Sequence, residues 1–130
     1  MSTLAEIVRP SFITVAPEDT LGEVAERMTT QNVGAVIVKD HGRLIGILTE
    51  RDMLRAMAAR VHTSDARVRQ WMTADPITAP ADMPLDEAAQ VMLDNGFRHL
   101  PVMDGQAVLG VVSLRRVLGG RRQPAAPEAA

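Results

Sequence analysis

Apolar positions along this chain follow two different periods, and the changes between them mark the elements. Leu21, Val24, Ala25 and Met28 recur at helical spacing behind Thr20-Leu21-Gly22-Glu23, which has the form of a capping box. This predicts a helix that stops at Asn32, a residue that tolerates the left-handed conformation of a helix end. The unbroken run Ala35-Val36-Ile37-Val38 reads as a strand covered on both faces. Asp40-His41-Gly42 is turn chemistry, closing a hairpin to a strand over Leu44–Leu48. A second helix is expected over Glu50–Arg60. Ahead of these elements come a helical turn with Thr3…Glu6 in the form of a capping box and an extended piece from Phe12 to Val15, kept short by Pro10 and Pro17.

The same pattern then occurs again. An offset of 64 residues, with no gap, carries Gly46 onto Gly110, Leu21 onto Leu85, Met28 onto Met92, Val38 onto Val102 and Arg51 onto Arg115. It predicts a turn capped by Ser64 or Asp65 and an extended piece over Pro76–Ala79. A helix carrying Leu85, Ala88, Ala89 and Met92 should start at Pro84 and stop at Gly96. Strands follow at His99–Met103 and Val108–Val112, with Asp104-Gly105 as the turn between them. Pro101 implies a position whose N–H is not needed. The last helix, Leu114–Leu118, should end at Gly119-Gly120. Each unit is thus β-α-β-β-α, in an α/β (α+β) chain built by tandem duplication. The repeats are residues 1–62 and 63–120, and residues 121–130 are expected to form a disordered tail.

Composition narrows the possible chemistry. The chain has no cysteine, which excludes disulfides and thiolate chemistry. Its net charge of −2 and its scarcity of aromatics argue against nucleic acid as a partner. No apolar run reaches the roughly 18 residues of a membrane span, and the N-terminus lacks a leader-type apolar segment. The expected location is the cytoplasm. No ligand spacing connects His41 or His62 to a metal site. No nucleophile–base constellation or phosphate-cradling glycine loop is present, so an enzyme is not expected.

Candidate chemistry concentrates in Gly46-Ile47-Leu48-Thr49-Glu50-Arg51-Asp52, where a strand should run straight into a helix. Thr49 occupies the N-cap position and Asp52 the third helical position. The exposed N–H groups of a helix start favour anions. One reading makes Thr49 and Asp52 a cap and nothing more; the other makes them a binding site. The second copy reads Gly110-Val111-Val112-Ser113-Leu114-Arg115-Arg116, with Arg116 in place of the acid. Arg51, Arg55 and Arg60 can be a solvated helix face or ligand contacts, and His99 a phosphate contact or a satisfied structural histidine.

These stretches, together with Met72-Thr73-Ala74-Asp75-Pro76-Ile77-Thr78 and Arg98-His99-Leu100-Pro101-Val102, resemble a tandem pair of cystathionine-β-synthase-type (CBS) domains. The likeness covers essentially residues 1–120 and is that of a stand-alone, bacterial-type CBS domain protein. It implies two β-α-β-β-α repeats packed through their sheets with pseudo-twofold symmetry. It also implies a regulatory, energy-sensing role in which AMP, ADP, ATP or S-adenosylmethionine binds in the cleft between repeats and shifts their arrangement. Carried over residue by residue, Asp52 would take the ribose hydroxyls and Thr49 the phosphate. Thr73, Ile77, Thr78 and Phe97 would form the base pocket, while Arg51, Arg98 and His99 are the cations within reach of phosphate. Arginine has no acceptor for a hydroxyl, so the Arg116 site is expected to be weak or empty.

The resemblance implies no required cofactor. The implied partners are an adenine nucleotide, a regulated protein acting in trans, and a second copy of the chain. The dimer is expected because apolar helix faces carrying Val24, Met28, Met53 and Met57 need cover. The alternative is a ligand-independent dimerisation or scaffold protein with degenerate clefts.

Overall fold

The computed structural model describes the backbone of residues 2–122 and the side chains of residues 2–120. The chain divides into two compact units. One is Phe12–Pro76; the other combines the residues up to Ser11 with those from Ile77 onward. The repeats 1–62 and 63–120 and the compact units are therefore different divisions of one chain. Each unit carries the leader of the other repeat. The cause lies in two apolar residues at equivalent leader positions. Val68 is fully buried in the core of the first unit, and Leu4 in that of the second. The backbone fastens each one in the same way: Val68 and Arg69 donate to the carbonyls of Asp19 and Pro17, and Leu4 and Ala5 to those of Met83 and Ala81.

The first unit holds a sheet in the order β1 (Thr14–Val15), β2 (Ala35–Asp40), β3 (Arg43–Thr49) and β4 (Thr73–Ala74). β1 runs parallel to β2, and the other pairs are antiparallel. Helices α1 (Leu21–Gln31), α2 (Glu50–Ala58) and α3 (Val68–Trp71) complete it. The hairpin turn is His41-Gly42, with both residues at positive φ, as a two-residue turn of this twist requires. The expected capping box of α1 is present. Glu23 N–H donates to Thr20 Oγ1 at 3.2 Å and Thr20 N–H to Glu23 Oε1 at 3.1 Å. The Thr20 N–H and, at 2.9 Å, the Thr20 hydroxyl both donate to Glu23 Oε1 and hold this carboxyl below its ordinary pKa. Asn32 ends the helix at φ 56°.

The second unit has β5 (Ala79–Pro80), β6 (His99–Asp104) and β7 (Ala107–Ser113), with α4 (Leu85–Asn95), α5 (Leu114–Arg122) and a 3₁₀ turn at Leu4–Glu6. Proline explains where its sheet departs from the first. Ile37 N–H donates to the Ile13 carbonyl at 2.9 Å, whereas Pro101 stands at the equivalent position and has no N–H. Parallel pairing consequently starts one residue later, at Ala79 with Val102. Pro10 likewise stands where Ala74 pairs in β4, and among the described residues this sheet has no fourth strand.

Several expectations are corrected. Thr3 makes no side-chain cap; it bridges to Pro84 instead. Neither Ser64 nor Asp65 caps α3, which starts later, with Gln70 Oε1 accepting from Arg67 N–H at 2.8 Å. α2 ends at Ala58, short of Arg60. α5 does not stop at Gly119-Gly120 but runs through both to Arg122. A Cβ on Gly120 would lie 2.9 Å from Leu85 Cδ1 and 3.3 Å from Ile7 Cγ2, so this glycine serves close packing of α5 on α4. The expected tail at 121–130 begins with two helical residues and otherwise lies outside the described residues. Val24 and Met28, expected on a face covered by a second copy, belong to the core of their own unit. On α2, Met53 packs against that core, while Leu54 and Met57 are 65% and 72% exposed.

Gly46 and Gly110 let the leaders approach β3 and β7. A Cβ on Gly46 would lie 2.6 Å from Met72 Sδ, the adaptable end of a flexible side chain. On Gly110 it would strike the Arg9 carbonyl, which is backbone. Gly110→Ala should therefore cost about 1–3 kcal/mol in urea unfolding, and Gly46→Ala less. Equal losses would contradict this account of the two leaders.

Candidate functional site

β3 delivers Thr49 to the start of α2 with extended backbone, φ −118° and ψ 166°, and the capping box closes there. Asp52 N–H donates to Thr49 Oγ1 at 3.3 Å. In return Asp52 Oδ2 accepts from Thr49 N–H at 2.9 Å and from its hydroxyl at 3.1 Å. The other carboxylate oxygen, Oδ1, accepts from Arg55 Nη1 at 2.9 Å. Asp52 is 6% exposed and is the one buried charged residue among those described. A carboxylate so placed needs every oxygen paired, and this one has that. The Arg55 side chain is 58% exposed and lies over the Trp71 ring, 5.6 Å from its centroid. Arg51 is exposed on the first turn of the same helix.

Strand register places a further group beside this helix start. Thr73 pairs with Ile47, and Ala35 with Thr49. Side chains alternate along a strand, so Thr73, Ile47, Thr49, Ala35 and Ile37 share one face of the sheet. Val36, Val38 and Leu48 take the other face and build the core. Thr14, opposite Ile37, joins the Thr49 face. Of the residues expected from the sequence, Thr49, Arg51, Asp52 and Thr73 thus belong to the first unit. Ile77, Thr78, Phe97, Arg98 and His99 belong to the second.

In the second unit the equivalent junction has the opposite charge. Ser113 Oγ accepts from Arg116 N–H at 3.1 Å, a cap without the returning carboxylate. The Arg116 guanidinium turns to the leader, where Nε donates to the Ile7 carbonyl at 2.6 Å. Burial, and then the nearby Arg9, lower its pKa from the usual guanidinium value. The Arg98 carbonyl accepts from Leu114 N–H at 2.8 Å, and His99 pairs with Ser113, so both expected cations stand at this helix start. Phe97 packs on the second core, while Ile77 is 44% exposed and Thr78 exposed.

Two participants were not singled out in the sequence as partners of Asp52. Arg55 is signalled only by its i,i+3 spacing from the acid. Trp71 carries no such signal, because it arrives from the other repeat's leader. Trp71 also lines a hollow of about 430 Å³ with Val61, His62, Asp65, Ala66 and Gln70. Among the described residues no cluster of acids and histidines could hold a metal ion, and no helix is long and apolar enough to cross a membrane.

The family model for the CBS domain matches residues 4–59 and again 68–121. The chain belongs to the CBS domain family. It is a tandem pair of CBS domains, with mixed α/β architecture, two sheets and five helices among the described residues. The CBS domain-containing protein YhcV of Bacillus subtilis is 32% identical over 114 residues, 88% of this chain and 81% of that protein. A putative signal-transduction protein with CBS domains from Burkholderia ambifaria superposes with a TM-score of 0.87 at 26% identity, covering 98% of this chain and 100% of that one. The CBS domain pair of protein MJ0100, solved in complex with 5′-methylthioadenosine and S-adenosyl-L-methionine, gives 0.82 at 28% identity, covering 93% and 98%.

The two CBS domains should differ in what their caps are worth. Thr49→Ala removes a reciprocal box and the donors that hold a buried carboxylate, and it should cost about 1–2 kcal/mol in chemical unfolding. Ser113→Ala, which removes a one-way cap, should cost less. Equal losses would mean that Asp52 is held without Thr49.

Proposed function

We propose that this CBS domain pair is a regulatory module that binds one adenosine-containing ligand per chain at the Asp52 site: AMP, ADP, ATP or S-adenosylmethionine. The observation that carries the reading is the buried, ionisable carboxylate at a helix start, with one oxygen committed to the cap and the other held only by an exposed guanidinium. A carboxylate accepts two hydrogen bonds from a cis-diol, and charge-assisted bonds are the strong ones. The MJ0100 domain pair, a structural relative, holds two ligands that both contain an adenosine ribose. Ligand would act by favouring one of two arrangements of the protein, to the extent that it binds them unequally. The output passes to a regulated protein in the cytoplasm or through self-association, and no bond of the ligand is broken.

One observation favours a second reading, a ligand-independent scaffold. Both Asp52 oxygens already have local donors, Thr49 for one and Arg55 for the other, so the acid is satisfied without a ligand. Calorimetry on the wild type, Asp52→Ala and Arg116→Asp separates the two. A carboxylate–hydroxyl bond is worth about 1.5–3 kcal/mol, and each 1.4 kcal/mol is about tenfold in affinity. One tight event per chain is expected, weakened about ten- to a hundredfold in Asp52→Ala, with a second event strengthened in Arg116→Asp. ATP should be recovered intact. Two equal tight events, or affinity indifferent to Asp52→Ala, would overturn the Asp52 site and return Thr49 and Asp52 to a helix cap; no binding of any of the four ligands would favour the scaffold.

Self-association is part of the same reading. With Val24 and Met28 in the core, the apolar face available on α2 is Leu54 and Met57. Light scattering at tens of micromolar should give twice the chain mass, reduced by Leu54→Asp. A monomer in the wild type would refute it.

A further inference from the structure

Asp52 does not face an incoming ligand bare. Its oxygen Oδ2 already accepts twice from Thr49. Only Oδ1 remains for a ribose, and Arg55 holds it at 2.9 Å. That guanidinium is itself placed by a second contact, the Trp71 ring 5.6 Å away. The three side chains come from two sequence repeats. Asp52 and Arg55 lie one helical turn apart on α2, and Trp71 ends α3 in the exchanged leader. The Arg55 side chain is 58% exposed against 9% for the Asp52 side chain, so it forms the solvent-side cover of a buried acid. The cation of this pair stands in solvent, where water competes for it, so an incoming hydroxyl pair can take its place.

We propose that Arg55 is a gate on the Asp52 carboxylate: Trp71 steadies its guanidinium on Oδ1 in the free protein, and a ribose hydroxyl pair gains Oδ1 by displacing it. This rests on the reading of Asp52 as the ribose acceptor. Arg55 is then a positioning residue that sets the affinity, and the gate belongs to the first unit alone. The positions 64 residues on are Arg116 for Asp52, Gly119 for Arg55, and Ile7 for Trp71 by the reverse offset. No acid, gate or aromatic perch stands there.

Trp71 is the only tryptophan, and the chain has no tyrosine, so intrinsic fluorescence reports on this one ring. Adenosine and AMP are the probes, titrated into the full chain as wild type, Arg55→Ala, Arg55→Lys and Asp52→Ala, with circular dichroism confirming each fold. Saturating adenosine should change Trp71 emission in the wild type, where the cation leaves the ring, and leave it nearly unchanged in Arg55→Ala. Arg55→Ala should bind both probes more tightly, by about two- to fivefold, the size expected where the cation of the pair is solvent-exposed. Arg55→Lys should return affinity toward the wild type, because an ammonium still pairs with Oδ1. Added salt should tighten adenosine binding in the wild type and not in Arg55→Ala.

A loss or no change of adenosine affinity in Arg55→Ala, while Asp52→Ala weakens binding as expected, overturns the gate and leaves the ligand site standing. AMP weakened with adenosine unchanged makes Arg55 a phosphate contact and likewise overturns it. Binding indifferent to Asp52→Ala, or no binding of either probe, removes the ligand reading and the gate together.

Discussion

A carboxylate can stay charged out of water only where each oxygen meets a donor. Asp52 imposes that requirement on everything around it. The strand must end at Thr49 in extended backbone so that its N–H and hydroxyl meet Oδ2. The helix must begin at once, so that Arg55 comes round one turn later to Oδ1. The leader of the other repeat must be close enough to lay Trp71 under that arginine. Strand, helix and leader are thereby tied at one acidic group.

The duplicated unit solves the junction with the charge reversed. Arg116 cannot return a hydrogen bond to its cap, so its guanidinium reaches out to the Ile7 carbonyl. In both units a guanidinium links the helix start to the borrowed leader, from Arg55 in one and Arg116 in the other. Only one unit keeps an acceptor. Two proline positions widen the divergence. Without N–H groups at Pro101 and Pro10, the second sheet starts its parallel pairing later and, among the described residues, lacks a fourth strand. Duplication has preserved the packing of the units while local chemistry has separated their sites.

Much of the fold is legible along the chain because its causes are local. The capping boxes at Thr20 and Thr49, the left-handed ends at Asn32 and Gly96, and the His41-Gly42 turn each depend on residues within a few positions of one another. The constant offset made the second unit readable from the first. Where reading failed, a distant neighbour had decided. Glycine at 119 and 120 has the form of a helix stop, yet α5 continues, and Gly120 is there because Leu85 and Ile7 leave no room for a side chain. Val24 and Met28 are apolar on a helix, and periodicity alone does not say whether that face meets a core or a partner.

The sequence by itself determined the element order, the duplication, the family, and the pairing of Thr49 with Asp52, since each rests on spacing along the chain. Tertiary structure decided the exchange of leaders between units, the face shared by Thr73 and Thr49, and the meeting of Arg55 with Trp71. The physical reason is sequence separation. Sixteen positions part Arg55 from Trp71, and the loop between them could place that ring anywhere. It lies under the guanidinium because Val68, three residues earlier, is buried in the core of the other repeat's unit.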